Sequence, residues 1–280
     1  MKDLSNENVI HIKKDKIEYI QFKKLLQYKN EINHAYSLGL DKNFRTQAPK
    51  KEVLNKSQYE KAIQDYKMLA KELESNYINI VKPNQDHTDK IAIVNEKINK
   101  EEPDFNLEQY NKTDGSITNK NNIMLATTNA DCILLMFYDP VKKVIANTHS
   151  GWKGTLQEIS VKTVEKMVNE FNSNLEDIIC CICPSIRKCH FEVNKDVKDM
   201  FYNKFKNLKE IEEIIKETKP NEKWNIDTVL INKIILQNQG LKEENIIDSK
   251  ICSICNCDII HSYRVEKQEY GLNTALIELK

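Results

Sequence analysis

The 280-residue sequence lacks the features that would direct it to a membrane or to a secretory route. Its longest apolar run, ILLMFY at 133–138, is far shorter than the roughly 20 residues that a transmembrane helix needs. Its first ten residues, MKDLSNENVI, contain no apolar signal-peptide core. Lys plus Arg and Asp plus Glu both number 42, so no net charge would attract the whole surface to nucleic acid or to an anionic membrane. We therefore expect a cytoplasmic protein whose partners include neither nucleic acid nor membrane.

Glycine and proline are also scarce, with six of each, and they are scattered rather than gathered into a linker. The hydrophobic residues, 40% of the chain, are enough for a buried core. The eight cysteines of a cytoplasmic chain are more typical of reduced thiols, metal ligands or core residues than of a disulfide framework. We expect one domain over residues 1–280, as a monomer or a homodimer, with residues 1–28 as an N-terminal edge segment.

Helical and strand patterns follow one another along the chain. Ser57 and Glu60 have the spacing of a capping box, and an amphipathic helix is expected from there to Leu73. Several strands follow one another directly, which favours a mixed α/β (α+β) fold with a partly antiparallel sheet over a doubly wound one. Further helices are expected near 155–171, 195–205 and 226–238, the last ended by Gly240, and strands at 77–81, 91–94, 123–128, 133–138, 144–149, 178–183, 245–252, 259–265 and 274–279.

The stretch TTNADCILLMFYDPVKKVIANTHSGWKG, residues 127–154, has Cys132 before one apolar strand and His149 at the end of the next. If the two strands pair about a turn between Pro140 and Val141, Cys132 and His149 lie opposite one another with Cβ atoms about 5 Å apart. Thiolate and imidazole are zinc ligands, and a catalytic zinc takes three protein ligands plus water. On local grounds alone, a buried structural cysteine is the more frequent alternative.

A third ligand must come from elsewhere in the chain. Of the six histidines, His87 is the best placed, because it lies in the polar turn KPNQDHTDK between two predicted strands, and strand-end loops are where sites are assembled. The segment GWKG at 151–154 precedes a helix, so its backbone amides and Lys153 are candidates for binding an anion. An ordinary turn that leads into a helix is the alternative.

Five segments in order resemble the motifs of the YfiH/LACC1/DUF152 family, from about residue 30 to the C-terminus. These segments are His87, NADC at 129–132, HSGWKG at 149–154, CPSIRKCHFEV at 183–193 and HSYRVEKQEYG at 261–271. The resemblance implies a zinc-dependent purine nucleoside phosphorylase that acts on adenosine and inosine, with related activity on methylthioadenosine and with adenosine deaminase activity. It implies a single-domain, YfiH/CNF1-like mixed β-sheet sandwich flanked by helices, distantly shared with deamidating toxins. It also implies that zinc is held by His87, Cys132 and His149.

The sequence departs from the family motifs at three places. The glycine that follows the motif histidine is replaced by Thr88, and the G-P-x-I-G element reads CPSIR at 183–187. The N-terminal T-R-x-G-G element is recognisable only as YSLGLDKNFRT, in which Leu38 stands near the expected arginine. Arg45 is the candidate replacement for that arginine.

The implied chemistry suggests roles for further residues. Deamination at C6 of adenine needs an activated water, which a zinc ion with an open fourth position can supply. Asp131, next to a ligand, is a candidate for shuttling protons or orienting a ligand, and a turn aspartate is the alternative. Phosphorolysis needs an anion held beside the ribose C1′. The candidates are Arg264, then Lys153 and Arg187, for phosphate, Tyr263 for stacking on the base, and His190 for protonating the departing base or for a structural hydrogen bond.

Two other functions remain open on the sequence. In one, Cys132 is a thiolate nucleophile activated by His149, in a hydrolase or deamidase. In the other, the C-x-x-C pair Cys252 and Cys255 belongs to a zinc-binding interaction module. A multicopper polyphenol oxidase, a label also attached to the family, needs roughly ten imidazoles, and this chain has six histidines. The cysteines available to the module are Cys180, Cys181, Cys183, Cys189, Cys252, Cys255 and Cys257.

Overall fold

Sixteen strands and eight α-helices form from residues 2–47 and 55–280, the part of the chain that the computed structural model describes. The strands are β1 Val9–Lys14, β2 Ile17–Phe22, β3 Ile32–Leu38, β4 Ile80–Lys82, β5 Ile91–Ile93, β6 Asp104–Phe105, β7 Gly115–Thr118, β8 Met124–Asn129, β9 Ile133–Asp139, β10 Val144–Ser150, β11 Ile179–Ile182, β12 Glu192–Val193, β13 Ile215–Lys219, β14 Lys223–Ile226, β15 Ile246–Asp248 and β16 Asn273–Leu279. The helices are α1 Lys23–Leu26, α2 Lys56–Glu72, α3 Trp152–Leu156, α4 Ile159–Phe171, α5 Lys195–Phe205, α6 Ile211–Ile214, α7 Thr228–Gln239 and α8 Tyr263–Glu266.

Two large mixed sheets pack face to face, with β10 of one against β8 and β16 of the other. The seven-stranded sheet has the order β1-β2-β3-β16-β8-β4-β6, and the six-stranded sheet has the order β15-β11-β9-β10-β7-β5. Each sheet contains antiparallel and parallel pairs, for example β9 with β10 and β5 with β7 in the six-stranded sheet. A small third sheet has the order β12-β14-β13. The predicted mixed, partly antiparallel sandwich is confirmed.

The continuous apolar sequence of β9 is explained by burial on both faces. Leu134, Met136 and Tyr138 belong to the core between the two sheets, and the alternate residues Leu135 and Phe137 belong to a second core. That second core is completed by residues of α4 and α7. Because side chains alternate across a strand, a strand covered on both sides must be apolar at every position. Helix α2 covers the outer face of the seven-stranded sheet in the same way, so helices flank both sheets.

Several predicted elements are confirmed. Strands β1 and β2 form within the N-terminal segment, and β1 is the edge of its sheet. Helix α5 occupies 195–205 as predicted, and α7 ends at Gly240, whose φ of +117° is the left-handed C-cap. The strands predicted at 91–94, 123–128, 133–138, 144–149, 178–183 and 274–279 all form within one residue of those bounds.

The predicted start of the first long helix is wrong. Asn55, not Ser57, is the N-cap of α2, and its side-chain oxygen accepts a hydrogen bond from the Gln58 amide at 2.8 Å. The Gln58 side chain returns the bond to the Asn55 backbone N–H at 3.2 Å. Asn and Gln therefore complete the capping box, and Ser57 and Glu60 lie inside the helix.

Three further segments differ from the predictions. The single helix expected at 155–171 is wrong: Glu158, with φ of 56°, interrupts it, because a left-handed residue cannot continue a right-handed helix. The strand expected at 259–265 is also wrong, since Glu266 accepts from the Ser262 amide at 2.6 Å and α8 follows. The remaining differences are in length: β4 follows a 3₁₀ turn at 77–79, β15 covers only 246–248 of 245–252, and α7 begins at Thr228 rather than 226.

The register of the β9–β10 hairpin also corrects a prediction. Val144 lies opposite Asp139, and His149 lies opposite Leu134. Cys132 is therefore two residues away from direct opposition to His149, and the predicted direct pairing is wrong. Diagonal neighbours of this kind are still within reach of one another on an antiparallel pair. Cys132 and His149 consequently lie at the same edge of the six-stranded sheet.

Candidate metal centre

Cys132, His149 and His87 converge at that edge of the sheet. Cys132 precedes β9, His149 is in β10, and His87 lies in the loop between β4 and β5. Cys132 Sγ is 3.9 Å from His87 Nε2, and the two imidazoles meet edge to face with ring centroids 5.0 Å apart. One ligand atom from each residue lies within 4.8 Å of the others. Zn–S and Zn–N bonds of about 2.3 and 2.0 Å place tetrahedral ligand atoms about 3.3–3.6 Å apart, so this set fits one zinc ion after small shifts.

A buried carboxylate, Asp114, orients His149. The Asp114 side chain is fully buried, and its Oδ2 lies 2.7 Å from His149 Nδ1. This contact leaves Nε2 as the ring nitrogen that faces Cys132 and His87. A carboxylate that holds the far nitrogen of a histidine is the usual support of a metal-binding imidazole.

The same carboxylate fixes the loop that carries His87. Asp114 Oδ1 accepts from the amides of Asp86 and Thr88 at 3.0 and 2.8 Å, and Oδ2 accepts from the His87 amide at 3.0 Å. His87 has a φ of 58°, a strained value for a residue with a Cβ, and the three amide contacts hold it there. Thr88, which replaces the family glycine, also donates its hydroxyl to Asp114 Oδ1 at 3.0 Å.

Gly151 leaves room for the three side chains. A Cβ atom at this position would lie 2.8 Å from His87 Cδ2, 3.2 Å from Cys132 Sγ and 3.5 Å from His149 Cε1. Any larger residue would therefore push the His87 ring away from its partners. The glycine of the GWKG segment is required by close packing at the centre, which is a different reason from the anion binding that the sequence suggested.

The charges of the centre favour a thiolate at Cys132. Burial opposes ionisation of the thiol, but the His149 and His87 rings outweigh it and lower the pKa of Cys132 to about 6. Burial likewise opposes the charged form of His149, but Cys132 and Asp114 outweigh it and raise the His149 pKa to about 10. The metal-free centre therefore holds a thiolate–imidazolium pair near neutral pH. A divalent ion would replace the proton that His149 carries.

Asp131 connects the centre to the loops beside it. Its φ is 85°, and its buried carboxylate accepts from Ser253 Oγ at 2.6 Å and from the Arg264 amide at 2.8 Å. The Asp131 carbonyl accepts from the Ile186 amide at 2.8 Å. Both carboxylate oxygens are thus engaged with other loops, an arrangement suited to positioning Cys132.

Tyr263 and Arg264 lie at the start of α8, next to Asp131 in space. Tyr263 is 57% exposed and packs edge to face on Tyr270, with ring centroids 5.1 Å apart. The Arg264 guanidinium is exposed and makes two weak contacts of 3.3 Å to the Glu192 carbonyl. Both side chains are therefore exposed to solvent beside Asp131.

Lys153 and Arg187 differ in availability. Lys153 is exposed, with its ammonium 5.5 Å from the Trp152 ring centroid. The Arg187 guanidinium contacts both Asp248 carboxylate oxygens at 2.6 and 2.8 Å, Ser249 Oγ at 3.0 Å and the Ile251 carbonyl at 3.2 Å. Arg187 is therefore held within the protein, whereas Lys153 is available to an anion.

His190 belongs to a different group of side chains. Its Nδ1 lies 3.1 Å from Cys189 Sγ and 3.6 Å from the sulfurs of Cys252 and Cys255. Cys180 and Cys181 lie on opposite faces of β11 and are buried in the two cores, and Cys183, directly after the strand, is buried in the core between the sheets. Cys257 is outside both groups.

The structure shows where Leu38 and Arg45 of the altered N-terminal motif lie. Leu38 is buried in the core between the sheets. The Arg45 guanidinium lies 4.2 Å from the Tyr270 ring centroid and donates to the Tyr270 carbonyl at 2.7 Å. Arg45 therefore stacks on the tyrosine that contacts Tyr263.

Two residues near the centre were missed by the sequence reasoning. Asp114 stands in TDGS, and an Asp-Gly pair reads as a turn rather than as a ligand support. Lys82 ends β4 and is 2% exposed; burial and Arg45 lower its pKa to about 8, although Asp114 acts in the opposite direction. A lysine directly after a buried strand and five residues before His87 is a signal that could have identified it.

The sequence was compared with family models and with known proteins. A family model described as multi-copper polyphenol oxidoreductase laccase matches residues 54–280. The chain is 32% identical over 168 residues to the purine nucleoside phosphorylase YlmD of Bacillus subtilis (strain 168). That alignment covers 60% of this chain and 59% of the relative. It is 30% identical over 209 residues to the purine nucleoside phosphorylase SAR1163 of Staphylococcus aureus (strain MRSA252). This second alignment covers 75% of this chain and 76% of the relative.

A solved structure shares the fold. The hypothetical protein YfiH of Bacillus licheniformis superimposes with a TM-score of 0.81 and 23% identity, over 95% of this chain and 98% of that one. Across residues 2–47 and 55–280, no helix combines the length and the apolar character that a bilayer crossing needs. The family model, the relatives and the shared fold agree with the motifs read from the sequence, and the chain belongs to the YfiH/LACC1/DUF152 family of laccase-like proteins.

Proposed function

We propose that this protein is a zinc-dependent purine nucleoside phosphorylase that acts on adenosine, inosine and methylthioadenosine and also deaminates adenosine. The observation that carries the proposal is the convergence of His87, Cys132 and His149 to within 4.8 Å, in a chain whose relatives bear the name purine nucleoside phosphorylase. Its partners would be small purine nucleosides and phosphate, in the cytoplasm, with the protein a monomer or a homodimer.

The chemistry of the donor set supports zinc. One thiolate and two imidazoles are ligands that zinc accepts, and three protein ligands leave a fourth position open. When bound, zinc supplies a Lewis acid at the reacting group. Copper is a weaker fit, because the other histidines are committed elsewhere: His11 and His34 accept backbone N–H groups, and His261 contacts Glu266. His190 lies in the separate group with Cys189.

The protein's own groups then have distinct tasks. Asp114 holds His149 and the His87 loop in place, and Asp131 holds the chain that carries Cys132. Arg264 would bind phosphate, because its guanidinium is exposed and only weakly engaged. Lys153 would add a second positive charge to the phosphate.

The nucleoside would lie beside the exposed tyrosine. Tyr263 presents an aromatic face that a purine can stack on. Arg187 and His190 are less suited to the phosphate and the departing base that the sequence suggested for them, because Arg187 is paired with Asp248 and His190 faces three sulfurs.

The test is to incubate the purified protein with adenosine, with and without phosphate, and to separate the products by chromatography. Adenine and ribose 1-phosphate that appear only with phosphate indicate phosphorolysis, and inosine formed without phosphate indicates deamination. The same reactions with inosine and with methylthioadenosine rank the substrates. If none of these products forms, or if a Cys132→Ser variant forms them equally fast, the proposal is wrong.

One observation favours a second function. The thiolate–imidazolium pair of Cys132 and His149 is also the arrangement of a cysteine nucleophile in a hydrolase or deamidase. The two functions differ in their need for metal. Activity that survives chelation and is abolished by iodoacetamide would support the nucleophile, whereas activity lost on chelation and restored by zinc would support the phosphorylase.

A further inference from the structure

We propose that Cys189, His190, Cys252 and Cys255 form a second zinc site, with a structural role. The four side chains come from two segments about sixty residues apart in the sequence, and one ligand atom from each lies within 4.8 Å of the others. This site is independent of the proposed nucleoside chemistry, because it shares no ligand with the centre at His87, Cys132 and His149.

The distances are those of tetrahedral zinc. Zn–S bonds of about 2.3 Å and Zn–N bonds of about 2.0 Å require S···S separations of about 3.8 Å and S···N separations of about 3.5 Å. The Cys189 sulfur lies 3.6 Å from that of Cys252 and 4.0 Å from that of Cys255. His190 Nδ1 lies 3.1 Å from Cys189 Sγ and 3.6 Å from each of the other two sulfurs. A single ion at the centre of the group would touch all four atoms.

The backbone holds these ligands in position without the metal. Ser185 and Cys252 form a parallel bridge, in which Ser185 N donates to the Ile251 carbonyl at 3.3 Å and Ser253 N donates to the Ser185 carbonyl at 3.0 Å. Asn256 Nδ2 closes the Cys252–Cys255 turn by donating to the Cys252 carbonyl at 2.7 Å.

Arg187 adds a further brace between the two segments. It lies two residues before Cys189, and its guanidinium is paired with Asp248 and bonded to the Ile251 carbonyl. The loops therefore meet in one arrangement, and the four ligands are preorganised.

The ligand set points to zinc in a structural role. Three thiolates and one imidazole make a closed four-coordinate site, which leaves no position for a substrate. Cys252 is buried, whereas Cys189 and Cys255 are exposed, so an ion can reach the site from solvent. On binding, zinc forms three Zn–S bonds and one Zn–N bond, and the protons of the three thiols are released to solvent.

The site would stabilise the loops that frame the first centre. Ser253, next to Cys252, donates its hydroxyl to Asp131, which precedes the ligand Cys132. The same Asp131 accepts from the amide of Arg264, whose side chain contacts Glu192, two residues after His190. The proposed ion would therefore tie together the segments that position Asp131 and Arg264.

The experiment is a zinc count on protein purified from zinc-supplemented medium under reducing conditions. We expect two zinc ions per chain in the wild type and the loss of one equivalent in a Cys252→Ser/Cys255→Ser variant. A Cys132→Ser variant should also lose one equivalent, but from the other centre. Cys257→Ser is the matched control, because this nearby cysteine is outside both groups, and it should keep the wild-type content.

X-ray absorption at the zinc edge gives a readout that does not depend on a variant folding. The wild type should show an average of two sulfur ligands per zinc, because one site supplies three and the other supplies one. A single zinc with one sulfur ligand would overturn the proposal. A double serine variant with undiminished zinc, or a wild type in which Cys189 and Cys252 titrate as a disulfide, would overturn it as well.

If only the nucleoside chemistry is wrong, the expected products do not form, but the zinc content and sulfur ligation of the second site are unchanged. If the first centre binds no zinc, the wild type holds one zinc per chain with three sulfur ligands, and Cys132→Ser does not change the count. The second site is thus tested separately from the proposed function.

Discussion

The two Cys/His groups of this protein are built in different ways. The first group has three ligands, two from the ends of β9 and β10 and one from the β4–β5 loop, and it is supported by the buried carboxylate of Asp114. The second takes its ligands from loops joined by backbone hydrogen bonds and has four. A three-ligand site with a rigid support suits catalysis, and a closed four-ligand site suits stability. The comparison predicts that changes at the first group act on chemistry and that changes at the second act on loop structure.

The largest expected effect comes from removing the thiolate of the first group. A Cys132→Ser variant should lose adenosine phosphorolysis by about a thousand-fold or more, because Lewis-acid stabilisation of several kcal/mol corresponds to such a factor at about 1.4 kcal/mol per decade. Initial rates at saturating phosphate provide the measurement. Cys257→Ser should retain the wild-type rate, and a Cys132→Ser rate within tenfold of it would show that the first group is not the reaction centre.

The next effect concerns the carboxylate beneath the first group. An Asp114→Asn variant should bind zinc about 10–100-fold more weakly at that centre, as expected when the carboxylate partner of a ligand histidine is removed. Competition with a chromophoric chelator measures this affinity. Asp139→Asn is the matched control, because Asp139 is equally buried but accepts hydrogen bonds from the hairpin amides of Val141 and Lys142. Equal losses in both variants would mean that Asp114 acts only through general stability.

A smaller effect is expected from crowding the centre. Gly151→Ala should reduce the rate about tenfold, because its Cβ would displace the His87 ring and even a shift below 1 Å is costly at a reacting site. The control is Gly154→Ala, whose Cβ would meet Ile159 at 3.3 Å. Rates and melting temperatures of both variants should be compared, and the idea fails if Gly154→Ala lowers the rate as much as Gly151→Ala does.

The smallest effect is a shift in the reactivity of the metal-free thiol. Because its histidine partners lower the pKa of Cys132 to about 6, iodoacetamide should alkylate it with a pH midpoint near 6. The thiol is protonated and slow below that pH and ionised above it. His149→Gln should move the midpoint to higher pH, because the positive charge that stabilises the Cys132 thiolate is lost. A midpoint unchanged by this substitution would contradict the thiolate–imidazolium pair.

The sequence predicted the elements that are fixed by local pattern. The prediction of helix α5 was correct because Val197, Phe201 and Phe205 recur at helical spacing. The prediction of strand β16 was correct because Ala275, Leu276 and Ile277 form a short buried apolar run. The prediction of the hairpin register was wrong. The Asp139 carboxylate accepts hydrogen bonds from the amides of Val141 and Lys142, and these bonds stabilise a four-residue turn at 140–143. A pattern of apolar residues does not determine the length of such a turn.

The metal centre was predicted more completely than its support. The order of motifs identified His87, Cys132 and His149, which do converge. The sequence did not indicate a role for Asp114, because its partners are backbone amides twenty-six to twenty-eight residues away and a histidine thirty-five residues away. The sequence left His190 between protonating the base and a structural hydrogen bond, because sequence order does not show which cysteines surround it. Such contacts depend on how loops pack, which no local signal records.

The position of β16 has a consequence for how the chain acquires its structure. This strand, residues 273–279, is buried along its whole length and joins β3 to β8 in the middle of the seven-stranded sheet. During synthesis, β1, β2 and β3 leave the ribosome early but have no partner on that side until β16 follows. The sheet therefore cannot close while its central member is untranslated, and an incomplete chain would expose two unpaired strand edges to its neighbours.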